Sequence, residues 1–363
     1  MSWNGKVLGR AVAGAAVGML GCGSVWAMSC QDAFGPLTYT MAVAGPPVAV
    51  AIPGTTHMVS APECNPAVIS FLLTNGGRAQ MGTINQVVSS RSGAQMGGQQ
   101  IAQGPGSGLA SGDAWPRWNT WITGANNDLA YDGSQGSGSF RFDGDKQGVT
   151  LGGDYRLAAT ATLGLSLSYD DGSATPKQGN GLRLDNRGYN VAPYFAYQLT
   201  PQISVDATVG WGQGTMSRSG GGLASYSADT QRRFAGVNLN AGYWFGNWQM
   251  TSKASLLYSA QKNDADGAQL DEALKYLAQA RVGTQLGYWV GNGWMPYLSA
   301  TYVNDFARNS TGGYSFDRDG FLLGLGTHYF SRGGVTAGAS FVSEVGRRNT
   351  TNNVFTANLS VRF

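Results

Sequence analysis

The chain closes on Val354-Phe-Thr-Ala-Asn-Leu-Ser-Val-Arg-Phe363, in which Phe355, Ala357, Leu359, Val361 and Phe363 alternate with Thr356, Asn358, Ser360 and Arg362. A period of two belongs to a β-strand, whose successive side chains point to opposite faces. One face here is apolar throughout and the other polar, so the strand is suited to lie between lipid and a wet interior. The pattern recurs upstream. Leu163, Leu165, Leu167 and Tyr169 alternate with Gly164, Ser166, Ser168 and Asp170, and Val149, Leu151, Tyr155 and Leu157 with Thr150, Gly152, Asp154 and Arg156. Extended through the C-terminal two-thirds, the reading predicts strands near 117–128, 138–157, 161–171, 187–199, 203–216, 230–246, 248–262, 273–290, 295–307, 318–331, 335–346 and 353–363. That makes twelve, an even number, as bacterial membrane barrels have. The fold class expected is all-β: a twelve-stranded antiparallel transmembrane barrel, with a short N-terminal segment and a helix in the lumen.

Composition agrees with this. Of the 363 residues only 12% are charged, about half the usual share for a soluble protein, and no apolar run reaches the roughly 20 residues of a spanning helix. The 55 glycines, with abundant Tyr and Trp, suit tight turns and interfacial aromatic belts. Lys6 and Arg10 precede the apolar stretch 11–20, which leads to the small-residue site Val25-Trp26-Ala27; this predicts a signal peptide over 1–27, cut between Ala27 and Met28. A short anchor helix and lipoprotein processing at Cys22 are the alternatives. Removing 1–27 takes Lys+Arg from 24 to 22 and leaves Asp+Glu at 21, a net charge of +1. Nothing there favours nucleic acid.

Cleavage also leaves two cysteines, Cys30 and Cys64, in a chain bound for an oxidising compartment, where a pair usually means a disulfide. Residues 28–67 then form a small disulfide-closed head. Residues 68–114 turn rich in Gly, Ser and Gln and read as a linker, with 84–103 as its helical stretch. Gly93, Gly97 and Gly98 weaken that helix enough to require a surrounding wall. The barrel region is 115–363.

The connections expected between strands alternate between short and long. Residues 158–160, 200–202, 247, 291–294 and 332–334 are turn-like, whereas 172–186, 217–229, 263–272 and 308–317 are long and polar. Short periplasmic turns opposite long extracellular loops are characteristic of outer-membrane barrels of Gram-negative cells. Tyr155, Tyr197, Tyr243, Trp244, Phe245, Trp248, Tyr288, Trp289, Trp294, Tyr329 and Phe330 lie beside the short turns and are expected to form the periplasmic aromatic girdle.

Catalytic and metal chemistry find no support in the residues. His57 and His328 are the two histidines, and neither stands in a metal-ligand or triad motif; His328 alternates with Tyr329 and is expected to face the lumen. Gly104-Pro-Gly-Ser-Gly108 lacks the preceding strand and following Lys of a phosphate loop. No cofactor and no enzymatic activity are expected.

The segment from Trp118 to Phe363 resembles the translocator β-domain of monomeric autotransporters of the type V secretion class. Gly148-Val-Thr-Leu-Gly-Gly-Asp-Tyr-Arg-Leu157 with Leu163-Gly-Leu-Ser-Leu-Ser-Tyr169 looks like that family's second and third strands, and Arg187-Gly-Tyr-Asn-Val-Ala-Pro-Tyr194 like its fourth. The ending is similar to the C-terminal signal by which outer-membrane barrels engage their assembly machinery, carried here by Phe355, Ala357, Leu359, Val361 and Phe363. The resemblance implies a linker helix through the lumen that tethers an exported passenger at the cell surface. Residues 28 to about 80 are far shorter than a usual passenger and carry no protease or lipase motif. Asn126-Asn127 is similar to the cleavage site of self-processing members, but its place at the outer end of the first strand suggests a loop. The function expected is therefore a translocator and anchor displaying a short segment at the surface; the alternative is an outer-membrane pore or adhesin-like barrel. Its partners would be outer-membrane lipid, the barrel assembly machinery and periplasmic chaperones, with the protein itself a monomer.

Overall fold

The computed structural model describes residues 117–363 apart from 136–137, 178–182, 221–224, 265–273, 309–316 and 332–333. Twelve strands follow in order: β1 (Trp118–Gln135), β2 (Gly138–Ala158), β3 (Ala161–Pro176), β4 (Arg183–Gln198), β5 (Ile203–Ser219), β6 (Tyr226–Phe245), β7 (Trp248–Asp264), β8 (Leu274–Tyr288), β9 (Trp294–Arg308), β10 (Asp319–Phe330), β11 (Val335–Val345) and β12 (Thr350–Arg362). Each pairs antiparallel with its sequence neighbour, and β1 pairs with β12, so the sheet is a closed barrel. The expected head, linker and signal peptide, with Ala27, Met28, Cys30 and Cys64, lie outside the described residues.

Closure removes the unpaired sheet edge that would otherwise be intolerable in lipid, where every backbone donor and acceptor must be satisfied within the protein. The outward face answers lipid with side chains. On β3, Leu163, Leu165, Leu167 and Tyr169 are exposed while Ser166, Ser168 and Asp170 are buried inside. On β12, Phe355, Leu359, Val361 and Phe363 point outward, and Asn352 and Ser360 inward.

The strands run further than the sequence reading placed them, and at one end of the barrel. Residues 172–186 were expected as one long loop, yet strand persists through Pro176 and resumes at Arg183; likewise 217–229 is strand to Ser219 and again from Tyr226. β1 continues past residue 128 to Gln135, so Asn126 and Asn127 stand inside the strand, paired with Phe355 and Val354 on β12, and are not a loop. The reason lies in the inner face. Leu129, Tyr131, Phe142, Ala174, Leu184 and Met216 form a buried cluster inside these extensions, while Arg141, Asp143, Asp145 and Gln147 are exposed outside. In the lipid band apolar side chains point out; beyond it they point in. This overhang is a water-surrounded β-structure with its own small core, and burial there outweighs the low strand propensity of Gly, Asp and Asn.

The opposite end turns tightly. β6 and β7 are joined by Gly246 and Asn247 alone, and Gly246 has φ +61°, a left-handed conformation that glycine adopts without penalty.

Candidate functional site: seam, girdle and lumen

The barrel closes along thirteen register pairs from Asn119↔Arg362 to Tyr131↔Thr350. Just inside this seam the Ser360 hydroxyl donates to Asn119 Oδ1 at 2.6 Å, and the Asn119 amide donates to Asp154 Oδ2 at 3.1 Å. The same carboxylate oxygen accepts from the Tyr194 hydroxyl at 2.8 Å, whose oxygen accepts from the Trp121 indole at 3.0 Å. One buried chain of hydrogen bonds therefore ties β12, β1, β2 and β4 together. Its aromatic members lie flat against the wall because glycines make room: a Cβ at Gly152 would fall 2.1 Å from Trp121, and one at Gly164 2.1 Å from Tyr194.

The sequence placed a girdle at the short-turn end, and most of it stands there. Trp118 packs on Tyr155 at 4.9 Å, Trp248 on Tyr288 at 4.8 Å and Trp294 on Tyr329 at 5.0 Å between ring centres. Tyr197, Tyr243 and Phe245 are exposed beside them. Trp244 and Phe330 fall on the inward phase of their strands and Trp289 packs against Phe330 at 6.1 Å, so these three belong to the lumen and not to the girdle. Aromatic richness near a turn marks the interface, but the strand phase decides which rings meet lipid. Phe355, Ala357, Leu359, Val361 and Phe363 all lie on the outward face of β12, as the alternation requires.

The lumen is polar and its charges are grouped. Asp170 receives both its oxygens' bonds from Arg232 Nη1, at 2.9 and 2.8 Å, and lies 2.9 Å from Lys146 Nζ; Arg232 also donates to Asn186 Oδ1 at 2.6 Å. Across the barrel, Asp305 accepts from Arg347 at 2.8 Å and from Gln279 at 2.5 Å, and Arg347 pairs with Glu344 at 2.9 Å. In a low-dielectric wall such groups persist only when paired. His328 faces inward as expected, stacked on Tyr297 at 4.6 Å with Gln285 Nε2 3.3 Å from its Nε2. No group of three or more His, Cys, Asp or Glu that could hold a metal occurs among the described residues. The charged groups of the lumen were not singled out from the sequence; their signal is a charge on the polar phase of a strand, as Asp170 is after Ser166 and Ser168.

Seam, girdle, polar lumen and outer overhang together define an outer-membrane translocator-type barrel. Residues 120–341, more than half of the chain, match the family model described as "Autotransporter beta-domain", and the chain belongs to that family. Its fold is similar to the translocator domain of the autotransporter NalP from Neisseria meningitidis, at 15% identity over 76% of this chain and 98% of that one, with a TM-score of 0.53. It is likewise similar to the β-domain of the Bordetella autotransporter BrkA, at 17% identity over 68% of this chain and 100% of that one, TM-score 0.57. The transport unit of AIDA-I from Escherichia coli is similar at 13% identity over 75% and 98%, TM-score 0.53. Comparison by sequence with curated proteins gives no match. The protein is an outer-membrane translocator and anchor, and the barrel domain's family role is transport and not catalysis.

Proposed function

We propose that this barrel displays residues 28–67 at the cell surface, with residues 68–114 running through the lumen as the tether, and that the chain as a whole is non-enzymatic. The supporting observation is the end of the barrel at which β1 begins. Trp118 pairs with the C-terminal residue at the short-turn, periplasmic end, so a segment preceding it reaches the exterior only by way of the lumen. The polar inner wall provides a water-compatible path. In the head, a Cys30–Cys64 bond would close a loop with 33 residues between the cysteines, worth roughly 3 to 4 kcal/mol by chain entropy, which decides whether so small a segment is ordered.

The outward stripe of Phe355, Ala357, Leu359, Val361 and Phe363 is proposed as the signal read by the assembly machinery while β12 is still an open edge. Periplasmic chaperones would hold the chain before that step, and the finished barrel would stand in outer-membrane lipid as a monomer.

The test is to label intact cells with a membrane-impermeant reagent at a tag inserted near Pro46. Labelling without permeabilisation supports display; labelling only after permeabilisation overturns it and leaves the barrel assignment untouched. In planar bilayers, deletion of residues 68–114 should raise conductance if they occupy the lumen.

A further inference from the structure

Charge is unevenly spread around the outer edge of the lipid band. Arg233 on β6 points outward, because it alternates with Arg232 and Phe234, which are buried inside, and shares its phase with exposed Leu239 and Tyr243. From Tyr243 in the periplasmic girdle the outward positions run through Ala241, Leu239, Val237 and Ala235 to Arg233, ten residues away. A tilted strand crosses a bilayer in about 9 to 11 residues, so this guanidinium stands at headgroup depth in the outer leaflet. β4 repeats the arrangement: exposed Arg187 lies ten residues from Tyr197, with Phe195, Pro193, Val191 and Tyr189 between them on the outward phase. Lys262 on β7 is a third cation, diagonal to Arg233. The adjoining wall carries the opposite sign, with Asp128 on β1, Asp145 on β2 and Asp171 on β3 all exposed.

Arg233 is the centre of the cationic patch. Directly across from it stand Trp211 on β5 and Ala260 on β7, and on its diagonals Val209, Gln213, Tyr258 and Lys262; none is an acid. Among the described residues it has no ion-pair partner. Its two companions are partly answered by the protein, since Arg187 faces Asp171 across β3 and Lys262 is diagonal to Asp229. On the membrane side of the cations lie Tyr189, Trp211 and Tyr258, which are 60%, 51% and 41% exposed. Amphipathic rings of this kind sit at the headgroup level of a bilayer.

We propose that Arg233, flanked by Trp211 and Lys262 and with Arg187 as a second contact, docks the phosphate groups of outer-leaflet lipid headgroups. A guanidinium fork matches phosphate bidentately in charge-assisted hydrogen bonds, and basic side chains near a bilayer surface are drawn to anionic headgroups. Arg187 lies two strands over and four residues farther out, about 10 Å across and about 13 Å along the sheet, so the two arginines engage separate phosphates. The phosphate is lipid-borne because the cations stand directly above an apolar wall; a lipid meets both with one molecule, its acyl chains on Val191, Val209 and Val237. The inference rests on the reading that the barrel stands in outer-membrane lipid, and not on what the N-terminal segment displays.

Lipid A, a diphosphorylated and acylated sugar lipid, is the probe. It is titrated in uncharged detergent onto the full mature chain folded in the same detergent, and the lipid-bound fraction is read by native mass spectrometry. Saturable binding is expected, weakened about fivefold by Arg233→Gln and about tenfold or more by Arg187→Gln and Arg233→Gln together. Arg141→Gln removes the same charge from the overhang of β2, where the side chain is 52% exposed and paired with Asp132, and should leave binding unchanged. Lipid A stripped of its phosphates should bind weakly, and inorganic phosphate at equal concentration should not compete. All three substitutions are on the exposed outer face, and each variant is first checked for the heat-modifiable band of a folded barrel. The proposal is overturned by absence of saturable binding to the unaltered barrel, by equal weakening in Arg141→Gln and Arg233→Gln, by undiminished binding of the stripped lipid, or by competition from inorganic phosphate. Because binding is read on the folded barrel in detergent, such a failure leaves its membrane location and the surface display standing.

Discussion

Trp118 and Phe363 exchange both of their backbone hydrogen bonds, each 3.1 Å long, so the first strand and the last residue form the final rung of the seam. Deleting Phe363 removes that rung together with an aromatic ring that is 65% exposed to the membrane interface. We expect folded, heat-modifiable barrel to fall sharply in outer-membrane fractions, whereas deleting residues 267–270 between β7 and β8 leaves its level near normal. A deletion inside 172–176 is no substitute control, because those residues are strand. Unchanged surface levels without Phe363 would contradict the seam's role in assembly.

Glycine recesses make a second test. Gly164→Ala places a methyl 2.1 Å from the Tyr194 ring, whereas a Cβ at Gly124 meets nothing within 4 Å. Overpacking of this kind costs about 1 to 3 kcal/mol, and Tyr194 carries the hydrogen bonds that join β1, β2 and β4. Urea unfolding followed by tryptophan fluorescence should show a lowered midpoint for Gly164→Ala and nearly none of that loss for Gly124→Ala. Equal midpoints would mean that Tyr194 shifts freely.

All twelve strands were legible, because Leu163 to Tyr169 and Phe355 to Phe363 each hold one apolar phase against one polar phase across the lipid band. The overhang was not. There Phe142 and Leu184 are apolar on the inner phase, opposite to Val149 and Tyr189 a few residues away on the same strands. A search for one continuous phase loses the strand where the phase inverts, and the residues after it then read as loop. The lumen networks were hidden for another reason. Asp170, Lys146 and Arg232 come from three strands, and only the register brings them together.

The lipid band can be probed by charge. Leu165 is half exposed on the outward face near the middle of the apolar stretch of β3, so Leu165→Arg should cost about 2 to 4 kcal/mol. The adjacent Ser166 is unsuited as the lumen comparison: it is 1% exposed and its hydroxyl donates to the Ala192 carbonyl at 3.1 Å, leaving no room for a longer side chain. Gln285, half-buried beside His328, is the better choice, and Gln285→Arg should cost less than half as much. Equal losses, measured as shifts in the unfolding midpoint, would place the register wrongly.

Asp170 is where a single substitution should do the most electrostatic damage. Its carboxylate lies between Lys146 and Arg232, and all three side chains are less than a tenth exposed. Asp170→Asn keeps the shape but leaves two cations facing each other in the wall without the carboxylate that bridges them. Breaking a buried pair from one side costs about 3 to 5 kcal/mol, because the abandoned charge keeps its desolvation penalty. Here two charges are abandoned, although Asn186 still accepts from Arg232 at 2.6 Å. Adding Lys146→Met removes one of them and the repulsion at once, so the double variant should recover part of the loss although it carries one substitution more. Recovery in the urea midpoint is the sign that matters, since two independent packing defects would instead add. If Asp170→Asn is harmless, lumen water solvates these cations, and the networks contribute little to holding the wall together.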